Sequence, residues 1–154
     1  MNKKAKNLGC VDTNFSNANG LPDENHYTSA YDMALIAAEA YKNETFRIIA
    51  GTSAYTITDS SKDRPDYNCY NHHLMMRKSN VNYYQYVTGG KTGYTDAAGN
   101  TLVTYAEKDG MTLVCVVMKC PQPAYVVQPP QQVTFPTNCC GGVNYAAGGC
   151  GCNG

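Results

Sequence analysis

Residues 87–119, VTGGKTGYTDAAGNTLVTYAEKDGMTLVCVVMK, decide the fold, because three strands can be traced through them with no helical pattern in between. Two apolar, β-branched runs, 101–107 and 111–119, flank the dipeptide Asp109-Gly110, which is among the strongest two-residue signals for a β-hairpin. Ahead of them, residues 87–94 are short enough to be a third strand that carries the G-G-K-T-G run. The segment therefore predicts a three-stranded antiparallel sheet.

The run Lys91-Thr92-Gly93 sets a cation and a hydroxyl between glycines, which suits either a nucleotide phosphate or a carboxylate. A phosphate-binding P-loop, G-x-x-x-x-G-K-[ST], needs glycine where this sequence has Gln85, and it must lead into a helix. Residues 94–100 are instead typical of a turn. The surroundings argue against a P-loop and favour the K-T-G element of the penicillin-recognising serine enzymes, which meets a carboxylate or acyl group.

Helical patterns precede the strands. Ser29-x-x-Asp32 resembles a capping box, and the apolar residues after it recur at i, i+3, i+4, i+7 and i+8. This spacing predicts a helix over 29–42 whose apolar stripe belongs to the core and consists of Met33, Ile36, Ala37, Ala40 and Tyr41. A second, short helix is predicted over 43–50, and residues 1–8 have the composition of a helix that Gly9 ends.

The segment between the helices and the sheet is more polar. Residues 54–58 alternate like a strand, residues 59–67 predict an exposed loop, and residues 72–78 predict a short helical turn. Helices followed by about three antiparallel strands indicate an α+β fold. The elements present amount to half of an α+β sandwich.

The charge balance excludes some classes of function. The chain has 12 Lys and Arg against 12 Asp and Glu and a pI of about 6.8, so it lacks the basic excess of a nucleic-acid-binding surface. No stretch approaches 18 consecutive apolar residues, and the first residues lack the basic, apolar and small-residue order of a signal peptide. We therefore expect no nucleic-acid partner, no membrane segment and no export signal within this sequence.

The composition changes sharply after Cys120. All 24 charged residues lie before Pro121, whereas residues 121–154 contain five Pro, six Gly and four Cys. We therefore expect one domain over 1–120 and a Pro/Gly/Cys-rich low-complexity tail over 121–154. Because the tail has neither charge nor apolar periodicity, we predict that it is disordered or extended.

Neither the cysteines nor the histidines predict a metal site. The tail cysteines occur as C-C and C-x-C rather than as the C-x2-C pairs of structural zinc sites. His72 and His73 are adjacent, so their side chains point to different sides of a helix or strand and cannot chelate one ion together. We favour a packing or capping role for this pair, and the sequence predicts no metal and no other cofactor.

Taken in order, the motifs resemble a known family. A helical end is followed by G-x-x-D-T-N-F-x-N-x-x-G-L, Y-T-S-A-Y-D-M-A-L-I-A, N-H-H, G-G-K-T-G-Y-T-D-A-A-G-N and a D-G hairpin. This order resembles the serine-type D-alanyl-D-alanine carboxypeptidases, the low-molecular-mass penicillin-binding proteins of bacterial cell-wall maturation. The similarity covers residues 1 to about 119. It implies a partial β-lactamase/transpeptidase-like sandwich, the C-terminal half of the catalytic domain.

The resemblance implies roles for five residues. Lys91 attracts the terminal carboxylate of the substrate, Thr92 gives that carboxylate a hydroxyl, and Gly93 lets the substrate backbone lie against the strand. The N–H of Tyr94 is implied as an oxyanion-hole donor, and His72 as a substrate contact near the cleft. The implied partners are a peptidoglycan stem peptide ending in D-Ala-D-Ala and, for the complete enzyme, β-lactam antibiotics. The implied location is extracytoplasmic, on the cell-wall side of the membrane.

Two of the three motifs of that family are missing from this sequence. None of its serines is followed by Lys at the third position or by Asn at the second, so neither S-x-x-K nor S-x-N occurs. The resemblance implies that both precede Met1 in a longer catalytic domain. Three hypotheses stay open: half of a carboxypeptidase that acts when the nucleophile half is supplied, a non-catalytic module that binds acyl-D-Ala-D-Ala, and an inactive truncated product.

Overall fold

The computed structural model describes residues 1–58, 65–120, 133–134 and 144–145. Its helices are α1 (Asn2–Asn7), α2 (Ala30–Tyr41) and α3 (Glu44–Gly51), with a 3-10 turn at Leu74–Met76. Its strands are β1 (Ala54–Ile57), β2 (Tyr67–Tyr70), β3 (Val87–Thr95), β4 (Gly99–Lys108), β5 (Met111–Cys120), β6 (Val133–Thr134) and β7 (Asn144–Tyr145). The helices and the three-stranded antiparallel sheet confirm the predicted α+β class.

Both main helices begin at polar caps, as their sequences predict. The Ser29 hydroxyl accepts a hydrogen bond from the N–H of Asp32 at 3.2 Å and caps α2. The Asn43 side chain accepts one from the N–H of Phe46 at 3.0 Å and caps α3. The cap of α3 follows directly on Lys42, the C-cap of α2, so no separate loop joins the two helices.

The main sheet has the strand order β3-β4-β5, and both pairs are antiparallel. Asp109 and Gly110 form the turn between β4 and β5 with φ values of 52° and 77°, the positive values that a type I′ hairpin requires. Gly99 begins β4 with a φ of 65°, which glycine adopts without steric cost. The predicted hairpin and the predicted third strand are therefore present, and β3 forms one edge of this sheet.

The core lies between α2 and one face of the sheet. Tyr105 is 2% exposed, its hydroxyl donates to the carbonyl of Ala37 at 3.1 Å, and its ring stacks on Tyr41 with 4.5 Å between centroids. Ala37 is buried as well, whereas the other residues of the predicted stripe are half-buried. A cavity of about 310 Å³ separates part of α2 from the sheet and is bordered by Met33, Ile36 and Ala40. The predicted stripe therefore faces the core but is incompletely covered.

The opposite face of the sheet is open along β5. Met111, Leu113 and Cys115 alternate on this face and are all exposed, Met111 at 60% and Leu113 at 57%. Thr104, the β4 partner of Cys115, is buried on the same face. Apolar side chains exposed next to one another characterise a surface that contacts further structure.

A two-stranded sheet formed by β1 and β2 differs from the prediction. The predicted loop over 59–67 runs into β2, which the sequence did not indicate, and β2 pairs antiparallel with β1. Residues 59–64 of that predicted loop lie outside the described residues. The Thr56 hydroxyl donates to Asn68 Oδ1 at 2.7 Å across the pair. A short, exposed strand of this kind acquires its conformation from its partner and not from its own residue pattern.

A buried carboxylate holds the loop between α1 and α2. Asp32 is fully buried, and its Oδ2 accepts hydrogen bonds from the Thr13 hydroxyl and the Asp12 N–H, both at 2.7 Å. The bond from Thr13, helped by the one from Asp12, lowers the pKa of the Asp32 carboxyl although burial opposes this shift. The D-T-N run thus ties the N-terminal loop to the first turn of α2.

The expected domain boundary at Cys120 coincides with the last residue of β5. Beyond it the structure describes only β6 and β7, which pair antiparallel with each other. The disorder predicted for the other tail residues falls outside the described residues. None of the described helices has the length and apolarity needed to cross a membrane.

Candidate functional site

The run Lys91-Thr92-Gly93 lies in the middle of β3. It pairs with residues 101–103 of β4, and within the described residues the other side of β3 has no partner strand. Successive side chains of a strand point to opposite faces, so those of Lys91 and Thr92 leave β3 on different sides. Lys91 is exposed and Thr92 is half-buried. An extended ligand can therefore pair with the outer side of β3 in the way that a further strand would.

Lys91 has no acidic partner in the described part of the chain. Its ammonium donates a hydrogen bond to the main-chain carbonyl of Thr92, while the two ion pairs found among the described residues both involve Glu39. An ammonium that donates one hydrogen bond retains two further donors. Lys91 can therefore bind an anion without breaking an existing ion pair.

Close contacts leave no room for a side chain at two glycines of β3. A Cβ on Gly90 would lie 2.3 Å from Cδ2 of His73 and 2.4 Å from the carbonyl oxygen of Val103. A Cβ on Gly93 would lie 2.6 Å from the hydroxyl oxygen of Thr101, which donates to the Gly93 carbonyl at 3.1 Å. These distances are well inside van der Waals contact, so neither position accepts a side chain without movement of its neighbours. The glycines of this run therefore serve packing as well as ligand access.

His73 supports β3 at the position of Gly90. It is fully buried, its Nε2 lies 2.9 Å from the Thr104 hydroxyl, and its main-chain N–H donates to Asn71 Oδ1 at 2.9 Å. Its Nδ1 has no hydrogen-bond partner among the described residues, and burial lowers the pKa of the imidazole. His73 thus has the packing role favoured for the histidine pair. Its contact with Gly90 joins segments that are distant in the sequence, and no local pattern indicates it.

His72 is exposed and lies beside the K-T-G run, where it borders the same cleft. The loop that carries it is anchored by Asn71, whose side-chain amide donates to the carbonyls of Ala50 and Thr52, both at 3.3 Å. The structure therefore places His72 near Lys91, as the family resemblance implies. Its contact with a substrate stays a prediction.

Two cavities meet at the K-T-G run and share His72, Lys91 and Thr92, and the cavity beneath α2 reaches the same run at Lys91, Thr92 and Gly93. The first, of about 480 Å³, lies between α3, the β1–β2 hairpin and β3; we call it the apolar arm, and its walls include Ile48, Ile49, Ala54, Tyr55 and Tyr70. The second, of about 640 Å³, lies between the 3-10 turn and strands β3 and β4; we call it the polar arm, and its walls include Arg77, Gly93, Tyr94, Asn100 and Thr101. The candidate site is a cleft whose arms join at Lys91 and Thr92.

Tyr94 lies on the wall of the polar arm, just before the turn that leads to β4. Its side chain is 66% exposed, and its hydroxyl donates to Asp96 Oδ1 at 2.9 Å. The turn itself is closed by a hydrogen bond from the Ala98 N–H to the Thr95 hydroxyl at 3.0 Å. The main chain at Tyr94 is therefore held between a regular strand and a well-bonded turn.

The cleft offers a cation, hydroxyls and main-chain groups. Among the described residues, no three His, Cys, Asp or Glu side chains are arranged to hold a metal ion. No serine of that part of the chain borders either arm. The arrangement can attract a carboxylate and align an extended peptide, but it presents no nucleophilic hydroxyl with an activating lysine.

The chain is related in sequence to D-alanyl-D-alanine carboxypeptidases. The family model described as D-alanyl-D-alanine carboxypeptidase matches residues 1–122. The chain is 39% identical over 117 residues to D-alanyl-D-alanine carboxypeptidase DacF of Bacillus subtilis, which covers 76% of this chain and 28% of the relative. It is 33% identical over 124 residues to D-alanyl-D-alanine carboxypeptidase DacA of Haemophilus influenzae, which covers 79% of this chain and 28% of the relative. The chain thus spans little more than a quarter of the length of these relatives.

Solved structures of related proteins share the architecture. The DD-transpeptidase of Streptomyces K15 superposes with a TM-score of 0.68 at 30% identity, covering 77% of this chain and 44% of the solved chain. A D-alanyl-D-alanine carboxypeptidase from Mycobacterium tuberculosis superposes with a TM-score of 0.65 at 28% identity, covering 77% of this chain and 42% of the solved chain. These likenesses confirm the predicted partial transpeptidase-like fold.

Proposed function

We propose that this chain, which belongs to the D-alanyl-D-alanine carboxypeptidase family, provides the K-T-G half of a cleft for the terminal D-Ala-D-Ala of peptidoglycan stem peptides. The observation that carries the proposal is the position of Lys91 and Thr92, on the outer strand of the sheet where the apolar and polar arms join. Hydrolysis additionally requires the serine and lysine of S-x-x-K, which this sequence lacks.

In this proposal Lys91 and Thr92 bind the C-terminal carboxylate of the stem peptide. The ammonium of Lys91 has no ion pair among the described residues, and the half-buried Thr92 adds a hydroxyl. Hydrogen bonds from a cation to a carboxylate are roughly twice as strong as those between neutral groups. The terminal carboxylate therefore sets the position of the peptide along β3.

Gly93 and Tyr94 align the bond that is cut. Gly93 has no side chain, so the main chain of the ligand can approach the strand closely. By resemblance to the family, the N–H of Tyr94 is one of two donors to the oxyanion, and the other belongs to the nucleophilic serine. One such donor contributes ~3 kcal/mol to transition-state stabilisation, and it does so only after the serine has attacked.

The isolated chain accordingly binds the stem peptide without cutting it. Cleavage follows when a segment with S-x-x-K and S-x-N completes the cleft, and β-lactam antibiotics acylate only that completed cleft. We place the activity on the cell-wall side of the bacterial membrane, since the proposed substrate is part of the wall. This proposal keeps the family chemistry and assigns to the chain alone only the binding step.

The proposal is tested by titrating the 154-residue chain with N-acetyl-L-Gln-D-Ala-D-Ala and following the main-chain amide resonances by NMR. Residues 91–94 should shift in a saturable manner. A matched peptide that ends in D-alaninamide lacks the terminal charge, and we expect it to bind about tenfold more weakly. The Lys91→Gln variant should lose a similar factor for the acid peptide, and Thr92→Val about fivefold.

The control variant is Lys3→Gln, which changes an exposed lysine of α1 and should leave the affinity unchanged. Equal binding of the acid and amide peptides by the native chain would contradict the proposal. Full affinity in Lys91→Gln would contradict it as well, because the carboxylate would then be held elsewhere.

A further inference from the structure

We infer that Arg77, on the wall of the polar arm, binds a second carboxylate of the ligand, apart from the terminal carboxylate assigned to Lys91 and Thr92. For the identity of the ligand this inference rests on the proposed function and deepens it. The preferred ligand is a stem peptide that carries an acidic side chain or a free carboxylate before its D-Ala-D-Ala end.

The guanidinium of Arg77 is held in place by the main chain. Its Nε and Nη2 donate to the carbonyl oxygen of Asn71 at 3.0 and 2.6 Å. Asn71 is itself fixed to the end of α3 through its side-chain amide, which donates to the carbonyls of Ala50 and Thr52. Because the guanidinium is oriented before a ligand arrives, binding costs less side-chain entropy than it would for a free arginine.

These two hydrogen bonds leave donors of Arg77 unused, since a guanidinium carries five N–H groups. No carboxylate pairs with Arg77 among the described residues, and no acidic side chain borders the polar arm. Two basic residues, Arg77 and Lys91, therefore border one cavity with no anion to balance them. A half-enclosed cavity with charge of one sign concentrates ions of the opposite sign.

The polar arm also has the size and position that a dicarboxylate ligand needs. Its volume of about 640 Å³ is bordered by both Thr92 and Arg77, so a terminal carboxylate at the K-T-G run and a second carboxylate at Arg77 would share one cavity. The planar guanidinium suits a carboxylate better than a lysine would, because it donates in parallel from two nitrogens. Among the described residues, Lys91 is the one permanently charged side chain that borders the apolar arm. The apolar arm therefore offers no comparable second site for a carboxylate.

Two matched peptides test this inference. N-acetyl-L-Glu-D-Ala-D-Ala and N-acetyl-L-Gln-D-Ala-D-Ala differ only in the second carboxylate, and calorimetric titration of the 154-residue chain gives the affinity for each. We expect the native chain to prefer the Glu peptide about fivefold, a modest factor because Arg77 is only half-buried. Arg77→Gln should abolish the preference while changing the affinity for the Gln peptide less than about twofold, and Arg77→Lys should keep part of it.

The matched control is Lys78→Gln, which removes a neighbouring exposed cation that borders neither arm and should retain the preference. The melting temperature of each variant shows whether it is folded. Equal affinity of the native chain for the two peptides, or a preference that survives in folded Arg77→Gln, would overturn the inference.

A second measurement separates this inference from the proposed function. N-acetylglutamate, a dianion without D-Ala-D-Ala, is titrated against the chain while the Arg77 Nε–H resonance is followed, with N-acetylglutamine as the control. We expect a saturable shift with N-acetylglutamate only. If neither peptide binds but this shift occurs, the proposed function fails and the anion subsite stands. If the shift is absent and the peptides show no preference, the subsite is refuted.

Discussion

The ring of His73 occupies the space that a side chain at position 90 would need, because a Cβ on Gly90 would lie 2.3 Å from His73 Cδ2. Thr104, which contacts His73 Nε2 at 2.9 Å, is the residue that pairs with Gly90 across the sheet. The buried imidazole and two strands are thus packed as one unit directly before Lys91. The position of the proposed carboxylate-binding lysine therefore depends on a histidine that does not border the cleft.

Gly90→Ala should destabilise the chain strongly. The new Cβ would meet both His73 and, at 2.4 Å, the main-chain oxygen of Val103, which cannot move without disturbing the pairing of β3 with β4. Overpacking of this kind costs ~1–3 kcal/mol, and we expect a loss of at least ~2 kcal/mol in the free energy of unfolding, measured with urea. Gly110→Ala is the control. Its new Cβ would meet nothing within 4 Å, so we expect only the φ of 77° to lower the free energy of unfolding, by ~1 kcal/mol. A Gly90→Ala chain as stable as Gly110→Ala would refute the packing argument.

Stability should fall as the pH is lowered through 6.5. Burial lowers the pKa of His73, so near pH 6.5, the ordinary value, the unfolded chain binds a proton that the folded chain does not. The free energy of unfolding then falls, by up to ~1.4 kcal/mol per pH unit, until the pH reaches the lowered pKa of the folded state. Urea unfolding at a series of pH values between about 8 and 5 measures this slope.

Variants at the two adjacent histidines identify the group responsible. His73→Asn removes the buried titrating ring and should flatten the pH dependence between about pH 6.5 and 5. His72→Gln changes the exposed neighbour and should leave the slope in place. The groups bonded to His73, Asn71 and Thr104, carry no charge that could titrate in its stead. An unchanged slope in His73→Asn would assign the effect to another residue.

Elements whose signals lie within a few neighbouring residues were predicted correctly. The Ser29 cap and the apolar stripe after it predicted α2, and Asp109-Gly110 predicted the β4–β5 turn, because each pattern fixes its own backbone conformation locally. Lys91 was predicted to lie on a third strand because the segment that carries it directly precedes the two strands of this hairpin. These local signals were enough to indicate the fold class, whereas the role of the K-T-G run is implied by the resemblance to a known family and stays a prediction.

Features that depend on distant segments could not be predicted. Strand β2 has only four residues, three of them exposed, and its pairing with β1 makes it a strand. Nothing in the N-H-H run distinguishes the buried His73 from the exposed His72, because the position of β3 determines which of the two is buried. Arg77 is a candidate ligand-binding residue because the fold places it on the wall of the polar arm and the carbonyl of Asn71 orients its guanidinium, and no local pattern indicates either.

Asp32→Ala should lower the melting temperature markedly, because it leaves the Thr13 hydroxyl and the Asp12 N–H without their acceptor. Hydrogen bonding by Thr13 lowers the pKa of Asp32, so its carboxylate stabilises the fold above the ordinary Asp pKa of 3.8, and this contribution is lost as the pH falls below that value. Asp96→Ala removes an exposed carboxylate whose one partner among the described residues is the Tyr94 hydroxyl, and it should change the melting temperature by less than ~2 °C. Thermal scans at about pH 7 and pH 3 test both statements, and equal effects of the two substitutions would contradict them.

Incubation with a fluorescent penicillin should leave the chain without a covalent label. Acylation needs a serine activated by a lysine one helical turn away, and no serine of this sequence has one. Gel fluorescence and intact mass measure the outcome, with a complete family member that has S-x-x-K as the positive control. A stable, stoichiometric adduct on any serine would show that an activating group had been missed.

A segment that supplies the two missing motifs should both stabilise this chain and restore release of D-alanine. Met111 and Leu113 leave apolar surface exposed on β5. Covering a few hundred Å² of such surface, at ~25 cal/mol per Å², adds several kcal/mol to the free energy of unfolding, which is comparable to the whole stability of a typical domain. We therefore expect the isolated chain to be marginally stable or prone to aggregate. A segment of a family member that contains S-x-x-K and S-x-N should raise its melting temperature when added in trans, and a D-Ala-D-Ala peptide should then be cleaved.

Two controls separate stabilisation from catalysis in that experiment. The same segment with its nucleophilic serine changed to alanine should still raise the melting temperature but release no D-alanine, because the surface is covered while the nucleophile is absent. Lys91→Gln in this chain should bind the segment normally and lose most of the release, since Lys91 lies in the cleft and not on the open face of β5. A sharp, concentration-independent transition above ~65 °C for the isolated chain would refute the expected marginal stability. Two halves that demonstrably bind and yet release no D-alanine would refute the assignment of this chain as the K-T-G half of the enzyme.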